Sequence, residues 1–245
     1  MTIIRGVHIV AAPCCGARYS LPRYISMNFM AVEYWTDGWR HLSLMPNDEG
    51  LRQCKCGHYI LVKDMKEIGS ADSSEFPGMS TVPDELLPDC IAKAPSKDVE
   101  IAARLMYWRH LNHPYREQYR QHRDAEEAAI RAMWEAAHPD RRTWKNPRYS
   151  RPEGAPITYP EFRASEEQLK NMERLSELLQ ALQEKRNEAR QIYTIELAEL
   201  YREQGRFKEA LKIIKSHHSP DIDTESKFMT QLINERQTAP VRFMV

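Results

Sequence analysis

Apolar positions change period once along the chain. Up to Ile68 they alternate or run in short β-branched and aromatic stretches, at Val7 to Ala11, Tyr24 to Trp35, Trp39 to Met45 and His58 to Lys63. Runs of this length and composition predict antiparallel strands. Thr36-Asp37-Gly38 separates two aromatic-flanked runs. Asp-Gly at that place predicts a hairpin with a type I′ turn, because its central residues need positive φ.

Helical spacing takes over at Ser96, a suitable N-cap, with Ile101, Leu105, Trp108 and Leu111 along one face. Pro114 ends this helix and can open the next, where Tyr115, Tyr119, Ala129, Met133 and Ala137 recur at helical intervals, so an αα-hairpin is expected. Ser165-Glu-Glu-Gln168 has the form of a capping box. After it Met172, Leu175, Leu179 and Leu182 keep a three-four spacing, and no Gly or Pro intervenes until Gly205. That stretch fits one helix of about 60 Å at ~1.5 Å per residue, or two helices broken near Asn187. A last short helix is expected from Ile222 to Asn234.

Two stretches lack either period. Residues 69–95 hold Ser70, Ser73, Ser74, Pro77, Gly78, Pro83, Pro88 and Pro95 and read as a linker or an ordered loop; residues 139–164 are Pro-rich and basic. The expected organisation is α+β. A small antiparallel β domain occupies 1–68, the linker 69–95, a helical hairpin 96–138, the basic loop 139–164 and a helical region 165–245.

Charge adds an exclusion. With 35 basic and 35 acidic residues the chain is neutral, so any attraction to nucleic acid must be local. No run of about 18 apolar residues occurs, and the opening Met1-Thr-Ile-Ile-Arg-Gly-Val-His lacks the order of a secretory signal. A cytoplasmic chain without a membrane partner is expected.

The cysteines supply the chemistry. Four of the 5 fall in two clusters, Cys14-Cys15-Gly16 and Cys54-Lys-Cys56-Gly57-His58, and Cys90 stands alone. Thiolates bunched in two glycine-closed turns are what a tetrahedral metal takes from a small β domain. Hairpins with ligands in their turns resemble a zinc ribbon, and the resemblance implies a structural Zn2+ held by Cys14, Cys15, Cys54 and Cys56. Adjacent strand residues point to opposite faces, so Cys14 and Cys15 both ligate only from a turn. If one of them does not, His58 is the nearest substitute, with His8 and His41 behind it. Packed or redox-active cysteines are the other readings. The absence of a phosphate-cradling glycine loop, a nucleophile elbow or a His-Glu-x-x-His motif points to a protein that is not an enzyme.

Near the C-terminus Ala198, Tyr201, Gly205, Phe207 and Ala210 resemble one tetratricopeptide repeat, over 191–224. The resemblance implies an antiparallel helical hairpin that caps a bundle and binds protein. Two further surfaces are candidates: the hairpin tip with Tyr34, Trp35, Trp39 and Arg40, and the basic series Arg141, Arg142, Lys145, Arg148 and Arg151. Aromatics beside arginine can stack on bases or anchor a protein. Each also has a structural reading, as cross-strand packing and as a loop on acidic helices. Two functions are therefore expected in competition: a zinc-binding adaptor between proteins, and a nucleic-acid-binding regulator using the tip and the basic loop. A homo-oligomer through the long helix is a third kind of partnership.

Overall fold

The computed structural model describes residues 2–27, 31–42, 49–138, 149–152, 158–185, 193–216 and 223–243. It is an α+β chain with small antiparallel sheets toward the N-terminus and helices beyond them. The strands are β1 (Ile3–Ala11), β2 (Arg18–Ser26), β3 (Ala31–Trp35), β4 (Arg40–Leu42), β5 (Leu51–Gln53), β6 (Tyr59–Leu61), β7 (Lys66–Ala71) and β8 (Arg242–Phe243). They form sheets ordered β2-β1-β7, β4-β3-β8 and β5-β6. The helices are α1 (Leu87–Ala92), α2 (Lys97–Leu111), α3 (His113–Ala137), α4 (Glu166–Lys185), α5 (Thr194–Glu203), α6 (Phe207–Ser216) and α7 (Asp223–Asn234). Among the described residues no helix is long and apolar enough to cross a membrane.

Contacts group residues 1–111 and 164–245 into one compact unit and 112–163 into another. The stretches set apart in the sequence as 1–68 and 165–245 thus share a unit. Pairing of β3 with β8 accounts for part of this, and a hydrophobic cluster joins the β5-β6 hairpin to the segment after it: Leu51, Tyr59 and Leu61 pack with Val82, Leu87 and Cys90 and with Val99, Ala102, Ala103 and Met106 of α2. Tyr59 also donates its hydroxyl to Asp89 of α1 at 2.8 Å. Residues 69–95 hold the end of β7 and all of α1, with Leu87 and Cys90 fully buried and Pro88 in the first turn of α1.

Helix starts follow the expected chemistry. The Ser96 hydroxyl accepts the Val99 N–H at 3.3 Å. Ser165 and Gln168 form the reciprocal box, with Ser165 N–H on Gln168 Oε1 at 2.7 Å and Gln168 N–H on Ser165 Oγ at 3.1 Å. The stretch after Ser165 contains two helices, α4 and α5, and residues 186–192 between them lie outside the described residues. The two are antiparallel: Tyr201 donates to Gln180 at 3.1 Å and Gln204 to Ser176 at 3.1 Å. The turn from α5 to α6 closes as a Schellman motif, Arg206 N–H on Tyr201 O at 2.8 Å and Gly205 N–H on Arg202 O at 2.9 Å. Ala198 and Ala210 are both fully buried in this hairpin.

In the 112–163 unit a return segment lies along α3. Tyr115 meets Phe162 edge-on at 5.0 Å, Tyr119 stacks on Tyr159 at 6.2 Å, and Thr158 N–H donates to Glu126 at 3.2 Å.

The hairpin between β3 and β4 departs from expectation. Gly38 N–H donates to Trp35 O at 2.9 Å and Trp35 N–H to Trp39 O at 3.0 Å, and only Gly38 of the tip has positive φ, +75°. The loop is therefore three residues long, a type I turn on Thr36 and Asp37 completed by a left-handed glycine, and not type I′. Asp37 lies at negative φ, and its side chain accepts the Trp39 N–H at 3.0 Å across the turn.

Candidate metal centre

Two hairpin turns present the cysteines. The first joins β1 to β2, with Ala12 N–H on Ala17 O at 2.8 Å and Gly16 N–H on Ala12 O at 2.9 Å. The second joins β5 to β6, with Cys54 N–H on His58 O at 2.8 Å and Gly57 N–H on Cys54 O at 2.8 Å. Gly16 and Gly57 lie at φ +68° and +86°, and a Cβ at either would meet nothing within 4 Å. Glycine is needed at both for the left-handed backbone, not for room. In each turn the next residue, Ala17 or His58, aims its N–H at the sulfur of the preceding cysteine, Cys15 or Cys56. Residues in a turn escape strand alternation, and so the adjacent Cys14 and Cys15 both face the second hairpin.

The four sulfurs of Cys14, Cys15, Cys54 and Cys56 lie within 4.8 Å of one another. Cys14 approaches Cys56 to 3.4 Å and Cys15 approaches Cys54 to 3.5 Å. A tetrahedral ion with sulfur bonds of about 2.3 Å has sulfur–sulfur edges of roughly 3.8 Å, so the cluster has the size of one coordination shell. These contacts are much longer than a disulfide bond of about 2.05 Å, and all of these cysteines are free thiols. The donors are all soft sulfur, which suits zinc, copper(I) or iron and not calcium or magnesium.

Local electrostatics already favour thiolate on the second turn. The His58 N–H, then the Cys14 thiol, bring Cys56 down from 9.0 to about 6. Burial works against ionisation of Cys54, but the Cys56 N–H, the Tyr19 hydroxyl and the first-turn thiols lower it overall. Desolvation and hydrogen bonds to the other cysteines push Cys14 up. Protons are thus displaced toward the first turn, and a cation entering the cluster replaces them.

Tyr19 was not legible as part of this site. It is 5% exposed, its hydroxyl meets Cys54 Sγ at 3.2 Å, and it accepts the Lys55 N–H at 2.9 Å. The available signal is the alternation Ala17, Tyr19, Leu21 leading into β2, whose inner face packs with Val10, Ala12, Cys54 and Ile60. His58 Nδ1 lies 3.3 Å from Cys56 Sγ, beside the sulfur set. His8 is engaged with Glu67 at 2.8 Å, and the His41 ring meets Trp39 at 6.1 Å.

The other candidate residues are placed less openly. Trp35 is 2% exposed and its indole N–H donates to Glu33 at 3.3 Å. Arg109 of α2 donates to Asp37 O at 3.1 Å, and β8 pairs along Tyr34 and Trp35. The hairpin tip is therefore packed inside its unit, while Tyr34 and Trp39 are half-buried and Arg40 is exposed, its guanidinium 5.7 Å from the Tyr34 ring. Arg151 binds Glu127 at 2.6 Å and Glu126 at 3.4 Å on α3. Arg141, Arg142, Lys145 and Arg148 lie outside the described residues. Comparison with protein-family models, curated proteins and solved structures finds no match to the chain.

Proposed function

We propose that this chain is a non-enzymatic zinc-binding adaptor. Cys14, Cys15, Cys54 and Cys56 hold one structural Zn2+ in a zinc-ribbon-like pair of hairpins, and the tetratricopeptide-like hairpin of α5 and α6 offers a face to a protein partner. The observation that carries the metal reading is the convergence of four sulfurs within 4.8 Å from turns far apart in sequence. Zinc is favoured among soft cations because four thiolates close its tetrahedral shell and leave no open position for catalysis.

Support for an adaptor over a nucleic-acid binder comes from the residues the second reading needs. Trp35 is buried, Arg151 is engaged by two glutamates, and the chain has equal numbers of basic and acidic residues. Ala198 and Ala210 are fully buried where the two helices cross, so Ala210→Leu is expected to force them apart at about 1–3 kcal/mol.

The test combines three measurements. Elemental analysis of protein purified without added metal is expected to find one zinc per chain. Partner capture from the native extract, with the captured species identified, is expected to fail for Ala210→Leu. Anisotropy with a labelled single-stranded oligonucleotide is expected to show only weak binding. A tight complex whose affinity falls steeply with salt reports real phosphate contacts and moves the assignment to nucleic acid.

A further inference from the structure

The four sulfurs are unequally accessible. Cys54 is 3% exposed and covered by Tyr19, whose hydroxyl reaches its sulfur at 3.2 Å. Cys14 and Cys56 are both exposed, with sulfurs 3.4 Å apart, and His58 Nδ1 stands 3.3 Å from Cys56. Cys15 is exposed as a residue, but its nearest cross-turn sulfur is that of the buried Cys54, at 3.5 Å. The centre thus has a shielded side and a side open to solvent.

We propose that Cys14 and Cys56 are a modification site at which a peroxide forms a disulfide and so ejects the metal ion, leaving Cys15 and Cys54 reduced. The inference rests on the metal reading above and adds to it a reactive pair.

The chemistry balances in two displacements. The Cys56 thiolate attacks one peroxide oxygen; a sulfur–oxygen bond forms, the oxygen–oxygen bond breaks, and hydroxide leaves into solvent. The product is a sulfenic acid on Cys56. The Cys14 thiolate then attacks that sulfur, the sulfur–sulfur bond forms, and a second hydroxide leaves. Two thiolates have given up two electrons, and the peroxide has become two hydroxides, which two protons from the buffer convert to water. A site reduced from four thiolates to two no longer closes a tetrahedral shell.

Competing pairs are disfavoured by geometry. A disulfide between the neighbours Cys14 and Cys15 closes a strained ring. Direct oxidation of Cys54 requires that an oxidant reach a sulfur beneath Tyr19, so a Cys15–Cys54 disulfide can start only at Cys15, whose partner sulfur 3.5 Å away is buried and held by the Tyr19 hydroxyl.

The test uses the full chain loaded with zinc. Hydrogen peroxide is added stepwise, released zinc is read with a chromogenic chelator, remaining thiols are alkylated, and disulfides are mapped by peptide mass spectrometry. One zinc is expected to appear for each Cys14–Cys56 disulfide, with Cys54 recovered alkylated. Tyr19→Phe, which removes only the hydroxyl, is expected to add a Cys15–Cys54 disulfide to the map. A first disulfide that contains Cys54, zinc release without a disulfide, or zinc retained in excess peroxide overturns the proposal. A chain that takes up no zinc fails the metal reading instead, and mapping of that metal-free chain still decides which cysteines pair.

Discussion

Polar chemistry concentrates at two places in the larger unit, and they differ in where their counter-charge comes from. At the cysteine centre four sulfurs converge on one volume, and the protein groups that meet them are N–H and O–H donors. Around β3, α2 and α5 the acids Asp37, Glu199 and Glu203 are buried together with the bases Arg109 and Arg202. Arg202 binds Glu199 at 2.5 Å with both side chains fully buried, and donates to Ala239 O at 2.7 Å and to Gln237 O. Trp108 donates its indole N–H to Glu203 at 2.8 Å. At the second site the counter-charge comes from the chain's own arginines; at the first, the four sulfurs form a donor set that could take it from a metal ion. The charge network ties α2, α5 and the C-terminal segment together, through Trp108 on Glu203 and Arg202 on the carbonyls of Gln237 and Ala239.

Metal removal should give the largest effect and the sharpest form of this contrast. Zinc bound to small folds contributes about 10–16 kcal/mol at pH 7, so a strong chelator is expected to loosen residues 12–17, whose turn has both its cysteines exposed. The strands β5 and β6 are expected to stay ordered, because Leu51, Tyr59 and Leu61 are held by α1 and α2. Amide exchange with and without chelator reads this directly. Equal loss of protection in α5 and α6 breaks the contrast and makes the two sites one cooperative unit.

Next in size is Arg202→Met. It strands Glu199 as an uncompensated buried charge, and about 3–5 kcal/mol is expected to be lost in urea unfolding. The double variant with Glu199→Leu should recover most of this, with zinc content unchanged in both. Loss of zinc in the single variant would tie the network to the cysteine centre.

The smallest effect concerns the carboxyl of Glu203, on α5. Burial, and then the charges of Glu199 and Asp37, hold Glu203 well above the ordinary 4.5. Between that ordinary value and the raised one, the unfolded chain ionises and the folded chain does not, so unfolding releases a proton. Stability is fully present below the ordinary value and falls as pH rises through this window, by up to about 1.4 kcal/mol per pH unit. Glu203→Gln keeps an acceptor for Trp108 and is expected to flatten that slope, measured as the urea midpoint against pH. An unchanged slope places the responsible group elsewhere.

Most local structure could be read from the chain. Period and capping marked the starts of α2 and α4, and the pairing of cysteines with glycines marked both turns. What escaped were contacts made at a distance. Pro83, Pro88 and Pro95 interrupt every period and so resemble a linker, yet Val82 enters the core from the loop and Leu87 and Cys90 enter it from α1, a six-residue helix too short to show a period. Trp35 reads as a surface aromatic until β8 is placed beside it, and a two-residue strand carries no periodic signal of its own. Tyr19 looks like any inward β residue until Cys54 is brought under its hydroxyl.

The pairing of β3 with β8 bears on how the chain is made. Thr36 receives the Val241 N–H at 2.9 Å across a separation of 205 positions. At ribosomal rates of about 5–20 residues per second, the β3 edge waits roughly 10–40 s for its partner strand to emerge. Through that interval it presents unpaired backbone groups beside Trp35, the kind of edge on which chains aggregate. A nascent chain stalled after α7 is expected to be a substrate for chaperones, and its release to coincide with synthesis of the last strand.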